Sequence, residues 1–128
     1  MPPPLCRILY VEDEPDIRAI AQMALEAVGG FTVIACASGS EALAAAAAAS
    51  ADLLLLDVMM PGMDGPSTLK ALRALPATAD TPVIFMTAKV QAAEVALFKG
   101  LGALEVVPKP FDPMELSAQI SRIWALQG

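Results

Sequence analysis

The sequence predicts an α/β domain of five strand–helix units, and three observations carry that prediction. Short apolar runs alternate with helix-spaced patterns along all 128 residues, with no linker and no convincing repeat. The run Leu53-Leu54-Leu55-Leu56 is apolar at every position, as in a strand buried on both faces at the centre of a parallel sheet. That run ends on Asp57 and enters a loop carrying Pro61, Gly62 and Gly65, at the kind of strand end where open α/β sheets bind ligands.

Each element follows from its own residues. Ile8-Leu9-Tyr10-Val11 is the first strand, halted by Glu12-Asp13-Glu14. Pro15 suits the first turn of a helix, and Asp16 complements its N-terminal dipole. Ile17, Ile20, Ala21, Ala24, Leu25 and Val28 recur at helical spacing as one apolar stripe, which Gly29-Gly30 terminates. Phe31 to Ala35 is the second strand, and Ser38-Gly39-Ser40-Glu41 starts a second helix that is alanine-rich because alanine is the best helix former. Leu53 to Leu56 is the third strand, followed by a helix over Ser67–Leu75 opened by Gly65-Pro66, and then a connector from Pro76 to Thr81. Val83 to Thr87 is the fourth strand, and Val90 to Lys99 the fourth helix, broken by Gly100 and Gly102. Glu105-Val106-Val107 is the fifth strand, and Pro108 makes it an edge strand, since proline donates nothing to a sheet ladder. Asp112-Pro113 opens the last helix, whose Leu116, Ile120, Ile123 and Trp124 share a face.

Bulk properties narrow the function. The length suits one domain, and 56% apolar residues with a mean hydropathy of +0.60 argue against disorder. No apolar run approaches the roughly 20 residues that span a bilayer. Met1-Pro2-Pro3-Pro4 lacks the basic and apolar regions of a signal peptide, so a cytoplasmic protein without a membrane partner is expected. A net charge of −6 with no basic cluster disfavours direct nucleic-acid binding. The absence of histidine removes the commonest general base. Cys6 and Cys36 would lie toward opposite ends of neighbouring strands, and two buried free thiols are predicted rather than a disulfide.

In a parallel sheet all strand C-termini share one edge. Glu12 and Asp13 would stand there after strand one, Asp57 after strand three, Thr87 after strand four and Lys109 after strand five. Three carboxylates in one cleft call for a hard divalent cation, and Mg²⁺ (or Mn²⁺) fits because it needs few protein ligands. Asp57 is then the candidate nucleophile for an aspartyl phosphate, with Lys109 and Thr87 placed to hold phosphoryl oxygens. Asp64 reads as a loop hydrogen-bonding residue, Glu14 and Asp16 as helix N-terminal charges, and Met59, Met60 and Met63 as packing or loop surface.

Those residues carry a resemblance. Val11-Glu12-Asp13-Glu14-Pro15, Leu56-Asp57 through Gly65, Pro82 to Ala88, and Gly102-Ala103 leading to Lys109-Pro110-Phe111 are similar, in order and spacing, to the receiver domain of two-component response regulators. The match covers about residues 5–126 of a single domain spanning 1–128, and points to the stand-alone chemotaxis-regulator type. The resemblance implies a doubly wound, flavodoxin-like (βα)₅ fold with strand order 2-1-3-4-5 and a cis Lys109-Pro110 bond. It implies that Asp57 accepts a phosphoryl group from a histidine kinase or phosphotransfer protein. Asp13, Asp57 and the Met59 backbone carbonyl would then bind Mg²⁺, with Glu12 acting through water, while Thr87 and Lys109 contact the phosphoryl group. The domain would switch its affinity for a downstream protein rather than act as an enzyme on other substrates, and homodimerisation is an option the family leaves open. Helix one and the Lys109-Pro110-Phe111 loop would meet the kinase, and the fourth helix, fifth strand and fifth helix would form the output surface.

Two departures carry expectations. Many receivers have an aromatic residue where this chain has Val106, so the signal is expected to travel through the loop after strand four and the fourth helix. Met59 and Lys89 flank the route of a hydrolytic water and orient it poorly, which predicts a long-lived phosphoryl group. The competing readings are a pseudo-receiver that is never phosphorylated and a Mg²⁺-dependent phosphohydrolase. Retention of all five site residues opposes the first; Met59, in place of an acid serving the leaving group, opposes the second. Met1 at the start and Gly128 just past the last helix lead to the expectation of a stand-alone receiver, the alternative being one domain cut from a longer protein.

Overall fold

The computed structural model describes residues 2–127. Five parallel strands, β1 (Arg7–Val11), β2 (Thr32–Cys36), β3 (Leu53–Asp57), β4 (Val83–Thr87) and β5 (Ala103–Pro108), form one sheet in the order 2-1-3-4-5. Every residue of β3 and β4 is buried, which is why these strands read as unbroken apolar runs. The helices are α1 (Pro15–Met23), α2 (Gly39–Ala49), α3 (Gly65–Arg73), α4 (Ala92–Gly100) and α5 (Leu116–Ala125). Two buried clusters flank the sheet. On one face Leu9, Val11, Leu54, Leu56 and Phe85 pack under α2, α3 and α4. On the other Ile8, Tyr10, Leu53, Leu55, Ile84 and Val107 pack under α1 and α5. β5 is an edge strand, as Pro108 predicts.

The α1 stripe holds only in part. Ala21, Ala24 and Leu25 are buried, whereas Ile20 and Val28 are exposed at 47% and 53%. The helix passes into a π-helical turn over Ala24–Val28, whose wider winding loses the 3.6-residue phase and carries Val28 outward. The Ala24 carbonyl, besides receiving Gly29 N–H at 3.4 Å, accepts the buried Ser117 hydroxyl of α5 at 3.0 Å. The last helix begins at Leu116 rather than at Asp112-Pro113; Asp112 instead accepts Met114 N–H at 2.9 Å in a preceding turn. Cys36 is buried as expected, but Cys6 is exposed because it lies just outside β1, where its N–H bonds the Asp52 carboxylate at 3.0 Å. Both thiols are free. The Lys109-Pro110 peptide bond is cis.

Candidate functional site

Side-chain alternation aims the charged residues. Tyr10 and Leu55 point to the α1/α5 side, so Glu12 and Asp57, two residues further along, follow them. Thr87 follows Phe85 on the opposite side. The cleft at the C-terminal edge of β1, β3 and β5 is therefore acidic on one flank and carries a hydroxyl on the other.

Glu12 and Asp57 are almost wholly buried, at 0% and 2% exposure, which for carboxylates demands a partner. Lys109 is that partner: its Nζ donates to Glu12 Oε1 at 2.8 Å and to Asp57 Oδ1 at 3.1 Å. The three negative charges of the cleft are thus partly compensated by the protein itself, a bridge the sequence reading did not foresee. Glu12 Oε2 takes the Glu14 N–H at 3.3 Å, so both of its oxygens are engaged. Oxygens of Glu12, Asp13 and Asp57 lie within 4.8 Å of one another, and Asp13 is only half-buried, at the mouth. This all-oxygen set suits a hard divalent cation.

Burial and the repulsion of Glu12 raise the Asp57 carboxyl to about 7 even though Lys109 opposes the shift. For Lys109 burial acts downward, but its hydrogen bonds to Glu12 and Asp57 prevail and hold its pKa above the ordinary lysine value. Beneath the carboxylates lies Tyr10, fully buried, its hydroxyl without a hydrogen-bond partner among the described residues. Its ionisation is suppressed by burial and by the charges of Glu12 and Asp57.

The surrounding loops are fixed by backbone contacts. Thr87 Oγ1 accepts Lys89 N–H at 3.1 Å, and the Thr87 carbonyl accepts Lys109 N–H at 2.9 Å, which ties β4 to the lysine. The Met59 side chain is 65% exposed, and its carbonyl accepts no hydrogen bond among the described residues. Asp64 caps α3 by accepting Ser67 N–H at 2.8 Å, in keeping with its reading as a loop hydrogen-bonding residue. Gly65 is required by close approach: a Cβ there would stand 2.5 Å from the Asp57 carbonyl oxygen. Arg18, also not singled out from sequence, donates from one guanidinium nitrogen to the carbonyls of Glu12 at 2.8 Å and Asp13 at 3.5 Å. Its only sequence signal is a basic residue one turn into a helix that follows an acidic loop.

This fold and cleft define a class, the flavodoxin-like signalling domains with a carboxylate cluster at the sheet edge. The chain belongs to the response regulator receiver domain family, whose family model matches residues 8–121. It is 44% identical over 117 residues to the transcriptional regulatory protein CpxR of Escherichia coli, covering 91% of this chain and 48% of that one. It is 38% identical over 114 residues to the DNA-binding response regulator MtrA of Mycolicibacterium smegmatis, covering 89% and 48%. The chain spans about half the length of the curated relatives it matches. Among solved structures, the chemotaxis protein CheY4 of Vibrio cholerae superposes with a TM-score of 0.84 at 32% identity, covering 94% of this chain and 99% of that one. A response regulator from Desulfuromonas acetoxidans gives 0.82 at 30% identity, covering 96% and 99%. No helix among the described residues is long and apolar enough to cross a membrane.

Proposed function

We propose that residues 1–128 act as one phosphoaccepting receiver domain in which Asp57 takes a phosphoryl group from a phosphohistidine donor. The observation that carries this reading is the Lys109 bridge between Glu12 and Asp57 within the carboxylate cluster. Lys109 holds Asp57 Oδ1, which leaves Oδ2 as the attacking atom. The Oδ2–P bond forms as the P–N bond of the donor breaks, and the departing imidazole keeps the electron pair and takes up a proton. Lys109 then follows the phosphoryl group while keeping Glu12, and Thr87 supplies its hydroxyl from the facing side. Asp13, Asp57 and the free Met59 carbonyl would hold Mg²⁺ (or Mn²⁺), with Glu12 acting through water. When bound, the ion neutralises charge on the phosphoryl oxygens.

Partner geometry follows the same reading. An apolar depression of about 180 Å³ between Ile17, Ile20, Lys109, Pro110, Phe111 and Pro113 adjoins the site. It offers a histidine kinase or phosphotransfer protein a landing surface, and it explains why Ile17 and Ile20 are not spent on the core. The domain acts in the cytoplasm as a signalling module rather than as an enzyme, and the downstream protein is met through α4, β5 and α5.

Intact-protein mass after incubation with acetyl phosphate tests the reading. We expect a single phosphoryl adduct on the wild type that requires Mg²⁺ and is absent from Asp57→Asn. An unmodified wild type under the same conditions would leave the domain as a phosphorylation-independent interaction module.

A further inference from the structure

Arg18 spends its charge in an unusual way. Although it stands beside an acidic cleft, it forms no carboxylate ion pair among the described residues. Instead it reaches from α1 over the helix start to the carbonyl oxygens of Glu12 and Asp13. The Glu12 N–H donates to the Cys36 carbonyl at 3.0 Å, and the Glu14 N–H donates to Glu12 Oε2 at 3.3 Å. Three consecutive peptide planes, those flanking Glu12 and the one after Asp13, are therefore pinned. Among the described residues, only Arg18 pins the middle one. Those planes set the directions in which the Glu12 and Asp13 side chains leave the backbone, and from there their carboxylate oxygens come within 4.8 Å of each other and of Asp57.

We infer that Arg18 is a positioning residue for the cation-binding loop, holding Glu12 and Asp13 in the orientation that a divalent ion requires. This rests on the reading of the acidic cluster as a cation site. Two effects of opposite sign compete. The guanidinium charge repels a divalent ion, so its removal alone would tighten binding. Its hydrogen bonds orient the ligands, and loss of such outer support typically costs 10–100-fold in metal affinity. The inference is that orientation wins.

The test is Mn²⁺ affinity of the full chain, read from the free-ion paramagnetic resonance signal, for wild type, Arg18→Met, Arg18→Lys and Asp13→Asn. Metal-free thermal melts run alongside. Arg18→Met keeps the aliphatic stem and removes the donors, and about a tenfold weaker Mn²⁺ affinity is expected, with the melt retained. Arg18→Lys, which can reach one carbonyl, should fall between. Unchanged or tighter binding in both Arg18 variants overturns the inference while leaving the cation site intact. A wild type that binds no Mn²⁺, or an Asp13→Asn variant that binds as well as wild type, overturns the cation-site reading and the inference with it. If Arg18→Met does not fold, Arg18→Lys decides alone: affinity equal to or above wild type counts against.

Discussion

At the scale of single residues, the site is a group of buried charges whose balance changes with ionisation. Burial and Glu12 lift the Asp57 carboxyl from its ordinary 3.8 to about 7. Between those values the folded chain holds a proton that the unfolded chain has released. In metal-free buffer, stability therefore falls as pH rises from about 4 to about 7, and the loss is complete above that. Asp57→Asn removes the ionisation and leaves the Lys109–Glu12 pair in place. Thermal melts across this window should show a flatter pH dependence for Asp57→Asn, and a melting temperature above wild type at pH 8 without metal. Parallel curves for the two proteins would contradict this account of Asp57. Much of this balance was legible beforehand, because Glu12, Asp13, Asp57, Thr87 and Lys109 all follow strand-like runs. The Lys109 bridge to Glu12 was not, since a separation of 97 residues leaves no local trace of a contact.

At the scale of elements, α4 differs from its neighbours. Phe98 is its one buried residue among those described, and its ring lies 5.2 Å from that of Phe85 on β4. Leu97 and Leu101 are exposed. Thr87 ends β4 and receives the Lys89 N–H, so a shift of its hydroxyl pulls on the loop that leads into α4. Val106, the register partner of Phe85, is buried in the same cluster, and the Phe85–Phe98 contact ties α4 to the sheet two residues below Thr87. Phe98→Ala should cost about 3 kcal/mol and raise hydrogen exchange selectively in α4. Exchange rising equally in α2 and α3, or nowhere, would sink the idea that one side chain anchors the helix. The helices themselves show where patterns mislead. The α1 stripe predicted one continuous apolar face, but the chain turns π-helical over Ala24–Val28, where the Ala24 carbonyl accepts the hydroxyl of Ser117 from the far end of the chain. No window of sequence around α1 contains that residue.

At the scale of the molecule, the parallel sheet gathers residues separated by about a hundred positions onto one edge. Strand type and number were readable because β3 and β4 are buried at every position and so lack the alternation of half-exposed strands. The order 2-1-3-4-5 came from the family resemblance, and the observed pairings of β1 with both β2 and β3 agree with it. The Arg18 hydrogen bonds to backbone carbonyls left no motif in the sequence, and Gly65, legible as a helix opener, gave no sign of its close approach to the Asp57 carbonyl. The central claim is that this edge places a phosphoryl group on Asp57 and nowhere else. The most direct measurement is borohydride reduction of the acetyl-phosphate-treated protein in Mg²⁺, which converts an acyl phosphate to the alcohol, followed by peptide sequencing in a mass spectrometer. The account predicts homoserine at position 57 alone. Reduction at Asp13 or Asp64, or no reduced residue in a protein that carries the adduct, would contradict it.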